Sequence, residues 1–126
     1  DVVASVRRVA THVAAAHDME IDFVHRQGYP VTDNDAAVAD RVLAVAGELV
    51  GPESSVVAAE PLMGAEDFAY VLQRVPGAMA FLGACPPGAE PDTAAGNHSN
   101  LVVFDEDVLP AGAALYAAMA LDTLAD

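Results

Sequence analysis

His98 lies in Gly96-Asn97-His98-Ser99-Asn100, at the end of a stretch rich in Pro, Gly, Ala and Asn and just ahead of a short apolar run. Scaffolds often present ligands and catalytic groups from such loops, and an imidazole there can bind a metal or move a proton. A lone loop histidine is also often simply solvated, so its type alone decides nothing. Glu66 and Asp67 follow Gly64-Ala65 at the start of a helical stretch. Adjacent carboxylates can perturb each other's titration and share acid–base work. At a helix start they serve the positive end of the dipole equally well. Cys85 and His98 share one loop, but one thiol and one imidazole fall short of a zinc site. His12 and His17 are separated by about 140° around a helix axis and cannot share a metal from one face. His25 has no carboxylate or cysteine at ligand spacing. Asp33-Asn34-Asp35 begins like a calcium loop, yet Val38 stands where that loop requires glycine, and helix capping is the better account. No phosphate-cradling glycine loop, serine nucleophile elbow or CxxC pair occurs.

The elements that would hold these groups can be read from periodicity. Val2, Val6, Val9 and Val13 recur at spacings of three and four, which predicts a helix to about Ala16 with that stripe buried. Met19, Ile21 and Phe23 then alternate with Glu20 and Asp22, the pattern of a strand with one wet face, and Gly28-Tyr29-Pro30 ends it. Thr32-Asp33-Asn34-Asp35 caps a second helix lined by Val38, Val42, Val45 and Leu49, which Gly51-Pro52 stops. This capping cluster is the expected boundary between two units, residues 1–32 and 33–126. Beyond it the sequence predicts a strand at 55–59, a helix from Ala65 to about Arg74, and a turn at Val75-Pro76-Gly77. A covered strand at 78–84, the loop 85–100, a strand at 101–104 and a last helix with Pro110 in its first turn complete the chain. Alternating strands and helices imply an α/β fold.

Composition narrows the function. The chain has 126 residues, 54% of them hydrophobic, enough for a core. Its net charge is −14, and all five basic residues are arginines. Nucleic-acid binding needs cations to replace phosphate counterions, so DNA and RNA are excluded as expected partners, and anionic membranes are disfavoured likewise. The most apolar run, from Leu109 to Leu121, is short for a membrane span and contains Pro110 and Gly112. One cysteine allows no internal disulfide, and a cytoplasmic setting is the default. The chain opens at Asp1 directly into helical periodicity, as a truncated, processed or tag-trimmed polypeptide would.

The order of the segments adds a resemblance. Gly28-Tyr29-Pro30 with Asn34-Asp35, Met63-Gly64-Ala65-Glu66-Asp67-Phe68, Val75-Pro76-Gly77, Phe81-Leu82-Gly83, His98-Ser99 and the run from Asp105 to Gly112 together resemble the C-terminal portion of the M20 metal-dependent amidohydrolases. The nearest branch contains hippurate hydrolases and hydrolases of IAA–amino acid conjugates. The resemblance implies that residues 1–32 are the last helix and strand of a ferredoxin-like lid or dimerisation domain. It implies that residues 33–126 are the C-terminal part of the catalytic α/β domain. It also implies two divalent metal ions, zinc or manganese, which polarise the amide carbonyl and lower the pKa of a bound water.

His98 matches the family's last metal ligand, with Asn100 in place of the usual proline and Asn97 in place of an apolar residue. Glu66 and Asp67 match a segment beside the active site, where a substrate-side or supporting role is implied for Glu66. The remaining ligands and the general base match nothing in this sequence, so no catalytic residue is assigned and the chain alone is expected to be inactive. The implied substrate is a small N-acyl amino acid or amide. The implied partner is a second copy or a missing N-terminal part. The rival reading is a non-catalytic dimerisation module derived from the same fold, using its exposed helix–strand edge.

Overall fold

The computed structural model describes residues 1–125. Among these residues four α-helices form: α1 (Val2–Ala16), α2 (Ala36–Val50), α3 (Ala69–Leu72) and α4 (Leu109–Ala125). Short 3-10 turns at Pro52–Ser54 and Glu106–Val108 accompany α2 and α4. No strand is present among the described residues, which overturns the α/β expectation. Residues 19–23, 56–58, 78–84 and 102–104 carry strand-like sequence but neither helix nor ladder. A strand exists only when another strand accepts and donates its backbone hydrogen bonds, and alternation of side chains cannot supply that partner.

The helix ends follow their capping chemistry. The Asp1 carboxylate accepts from the Val3 amide at 3.0 Å, and the Asp35 carboxylate accepts from the Val38 amide at 3.0 Å. Each satisfies one of the orphan donors of a first helical turn. Gly51 closes α2 with φ of 91°, a backbone conformation that glycine adopts without strain. Asp105 accepts from the Asp107 amide at 3.1 Å and opens the turn that leads into α4, with Pro110 in the first turn of that helix as expected. The helix expected from Ala65 to Arg74 shrinks to Ala69–Leu72, because residues 67–68 and 73–74 form turns on either side of it.

Packing is concentrated where α2 meets α4. Val38, Val42 and Val45 of α2 are half-buried, and so are Ala111, Ala114, Leu115, Ala118 and Met119 of α4. Arg41 clips the pair: its Nε donates to the Asp122 carboxylate at 2.5 Å, and a terminal nitrogen donates to the Asp122 carbonyl at 3.1 Å. With its leading turn, α4 forms an apolar helical stretch of 20 residues, Glu106–Ala125, long enough to cross a membrane. The interrupted run in the sequence had argued against such a length. Its seat on α2 and its ion pair to Arg41 give this helix a protein partner.

The valine stripe of α1 is not buried. Val2, Val6, Val9 and Val13 are 50–78% exposed, because no other helix among the described residues packs on α1. The contact α1 does make lies elsewhere: the Arg7 guanidinium sits 4.7 Å from the centre of the Phe23 ring, a cation–π arrangement. Ala69 is the only fully buried residue among those described. The accessible surface is 10400 Å², whereas a compact monomer of this mass exposes about 6,300 Å². An apolar composition is thus present without a closed core to receive it.

Candidate functional site

His98 rides on a chain of tight turns. The Ser99 amide donates to the Gly96 carbonyl at 2.9 Å, which makes Asn97 and His98 the corner of a turn. The Leu101 amide donates to Ser99 Oγ at 3.1 Å, and the Val102 amide donates to the Ser99 carbonyl at 3.3 Å. These bonds fix the backbone on the C-terminal side of His98 while its imidazole stays exposed. The stem of the long loop is tied as well, since the Asp105 amide donates to the Ala84 carbonyl at 3.0 Å. Leu82, just before the stem, lies against α4 at Gly112, where an added Cβ would come within 3.0 Å of the leucine Cδ2. The loop setting of His98 expected from composition is present, and the bond between Asp105 and Ala84 ties the ends of that loop together.

Glu66 is half-buried and folds back on its own segment. Its Oε1 accepts from the Phe68 amide at 3.3 Å, and its carbonyl accepts from the Ala69 amide at 3.3 Å. That is a local side chain–backbone bond within the turn that precedes α3. Because α3 begins only at Ala69, with Phe68 at its N-cap and no side-chain cap, neither carboxylate lies in its first turn, where the helix dipole was expected to use them. Asp67 is exposed, and its carbonyl accepts from the Tyr70 amide at 3.0 Å. Tyr70 in turn meets Tyr29 edge-to-face with ring centres 6.0 Å apart, which links the segment before α2 to α3.

No group of three or more His, Cys, Asp or Glu side chains that could hold a metal forms among the described residues. His98, Glu66 and Asp67 therefore do not converge into a metal centre. A catalytic zinc takes about three protein ligands, and one exposed imidazole does not meet that requirement. The Cys85 thiol is exposed and faces the Ala89 carbonyl at 3.8 Å. Two open clefts flank the segment 31–35. One of about 360 Å³ is lined by Asp33, Asn34, Asp35 and residues 72–76, and one of about 490 Å³ by Val31, Asp33, Ala69, Leu72 and Gln73. Neither is lined by His98, Glu66 or Asp67.

Asn34, in the capping cluster before α2, makes tertiary contacts. Asn34 Nδ2 donates to the Met79 carbonyl at 3.0 Å, and the Met79 amide donates to Asn34 Oδ1 at 2.8 Å. The neighbouring Asp35 amide donates to the Gly77 carbonyl at 2.9 Å. In the sequence Asn34 stood beside the Asp35 cap and within a motif of the family resemblance, and neither signal points to a partner 45 residues away.

Comparison with known proteins supplies what the geometry leaves open. Residues 3–122 match the family model described as peptidase family M20/M25/M40. The chain belongs to this family. It is 37% identical over 123 residues to the IAA-amino acid hydrolase ILR1-like 2 of Arabidopsis thaliana, covering 94% of this chain and 27% of that protein. It is 34% identical over 118 residues to thermostable carboxypeptidase 2 of Saccharolobus solfataricus, covering 92% of this chain and 28% of the relative. An N-acetyldiaminopimelate deacetylase of Streptococcus thermophilus is 38% identical over 85 residues, covering 67% of this chain and 22% of the relative. The M20 chain thus spans about a quarter of the length of the first two of these relatives. By their names these relatives are hydrolases and peptidases, and the family is generally metal-dependent.

Proposed function

We propose that this chain is the C-terminal portion of a metal-dependent amidohydrolase that cleaves the amide bond of N-acyl amino acids or similar small amides. One observation carries the reading: the family match runs over residues 3–122, while the chain equals only 27% of the hydrolase it matches at 37% identity. On this reading the chain divides at the capping cluster, residues 1–32 belonging to a lid or dimerisation unit and residues 33–126 to the catalytic unit. His98 is the metal ligand the chain contributes, to a centre of zinc or manganese ions whose other ligands come from elsewhere. Glu66 and Asp67 lie toward the substrate. A cytoplasmic setting fits the single, exposed cysteine.

Because a lone imidazole holds no dinuclear centre, the 126-residue chain by itself should hydrolyse nothing. Incubation of the purified chain with N-acyl amino acids and added Mn²⁺ or Zn²⁺ tests this, with released amino acid as the readout. Release above a His98→Ala control would overturn the reading.

A second reading draws on a different observation. The exposed valines of α1, with a surface well above that of a compact monomer, favour association with a second copy or with a missing N-terminal part. A non-catalytic association module would use that face without any metal. Adding the N-terminal part of a family member discriminates: an enzyme portion gains metal binding that His98→Ala abolishes, and a pure association module does not.

A further inference from the structure

We infer that Asn34 is a positioning residue: its carboxamide holds the segment from Met79 to Ala84, and through that segment the stem of the His98 loop. The inference rests on reading His98 as a functional group, but its geometry is independent of any metal. Asn34 uses one donor and one acceptor on the same residue, Met79, at 3.0 and 2.8 Å. This is how a strand residue pairs with its opposite neighbour, here performed by a side chain where no strand partner exists among the described residues. Asp35 adds the bond to the Gly77 carbonyl and at the same time caps α2, so the clasp is fastened to the first turn of that helix. Downstream, Leu82 rests on α4 at Gly112 and the Ala84 carbonyl receives the Asp105 amide. The loop carrying His98 leaves at Ala84 and returns at Asp105, so both its ends are fixed to this frame.

The pairing selects its side chain. Aspartate has the same shape but, when ionised, only acceptors, and it would set a carboxylate against the Met79 carbonyl. Alanine would leave both Met79 groups without their partner. A protonated carboxyl, by contrast, has one donor and one acceptor and reproduces the amide pattern. An Asn34→Asp chain should therefore lose the clasp when the new carboxyl is ionised and recover it on protonation. Asp33 and Asp35 beside it in sequence oppose that ionisation. Arg74 on the facing wall of the cleft is the one cationic group among the cleft's lining residues, and it favours ionisation. The sign follows: a carboxyl that bonds best when protonated contributes stability at low pH, which is lost as pH rises.

The test is amide hydrogen exchange of the 126-residue chain, expressed as protection factors so that intrinsic exchange cancels. At neutral pH, Asn34→Ala and Asn34→Asp should each lower protection at Met79 by roughly ten- to hundredfold, the loss of a pair of hydrogen bonds. Protection at the Ser99 and Leu101 amides should fall with it, while Val42 and Val45 in α2 keep theirs. On acidification the Asn34→Asp chain should regain protection and Asn34→Ala should not. The inference is overturned if Ser99 and Leu101 are unaffected, which would confine Asn34 to local pairing. It is equally overturned if α2 loses protection in parallel, which would make the residue a general stabiliser, or if both variants respond alike to pH. Failure of the His98 reading would show separately, as metal binding that survives His98→Ala once the N-terminal part is supplied.

Discussion

Replacing Arg41 or Asp122 by alanine should weaken the junction of α2 and α4 unequally. Both side chains are more than a third exposed, at 37% and 42%, so solvent screens the pair and its carboxylate–guanidinium term is worth about 0.5–1 kcal/mol. Asp122→Ala removes that term alone, because the second bond from Arg41 reaches the backbone carbonyl of residue 122 at 3.1 Å and survives the substitution. Arg41→Ala removes at least these two bonds and the packing of the side-chain stem, a loss of about 1–2 kcal/mol. The net charge widens the gap. With −14 on the chain, deleting a cation adds to self-repulsion, whereas deleting a carboxylate relieves it. Urea unfolding followed by far-UV circular dichroism, on the wild type, both single variants and the double variant, gives the cycle directly. At low salt the coupling energy should be about 0.5–1 kcal/mol, and it should shrink in 0.5 M NaCl, roughly a 4 Å Debye length. An Asp122→Ala chain as unstable as Arg41→Ala, or a coupling energy of zero at low salt, would refute the reasoning.

The remaining expectations concern single positions and the charge. Gly47→Ala in α2 should stabilise by up to about 1 kcal/mol, since an added Cβ meets only Pro52 Cα at an ordinary 3.7 Å. Gly51→Ala should destabilise by about 1–3 kcal/mol, because its φ of 91° suits glycine and strains any other side chain, whereas the exposed Glu53 carboxylate can swing clear of the new Cβ. Thermal unfolding of these two chains side by side checks the opposite signs. Asp35→Ala should cost about 1 kcal/mol through loss of the α2 cap, measurable as a lower urea midpoint, and Asp35→Asn should restore most of it. Added NaCl should raise the unfolding temperature overall, because screening relieves repulsion among 19 acidic side chains that only five arginines offset. A flat or falling salt response would show that repulsion does not limit stability.

Local chemistry was legible in the sequence because it acts over a few residues. The Asp35 cap of α2, the Gly51-Pro52 stop, Pro110 in the first turn of α4 and the loop setting of His98 all depend on near neighbours, and all appear in the structure. The ordered motifs from Gly28-Tyr29-Pro30 to Gly112 were enough to point to the M20 family, to which the chain belongs. Alternation at Met19-Ile21-Phe23 and the apolar run 78–84 could not decide a strand, because a ladder depends on what lies alongside. The valine stripe of α1 marks an apolar face but names no partner, and among the described residues it stays half or more exposed. Two further facts belong to tertiary structure alone. Asn34 spends its carboxamide on Met79, and Arg41 reaches across 81 residues to Asp122. Periodicity and propensity are properties of short windows, whereas these pairings arise only when distant segments are brought within a hydrogen bond of each other.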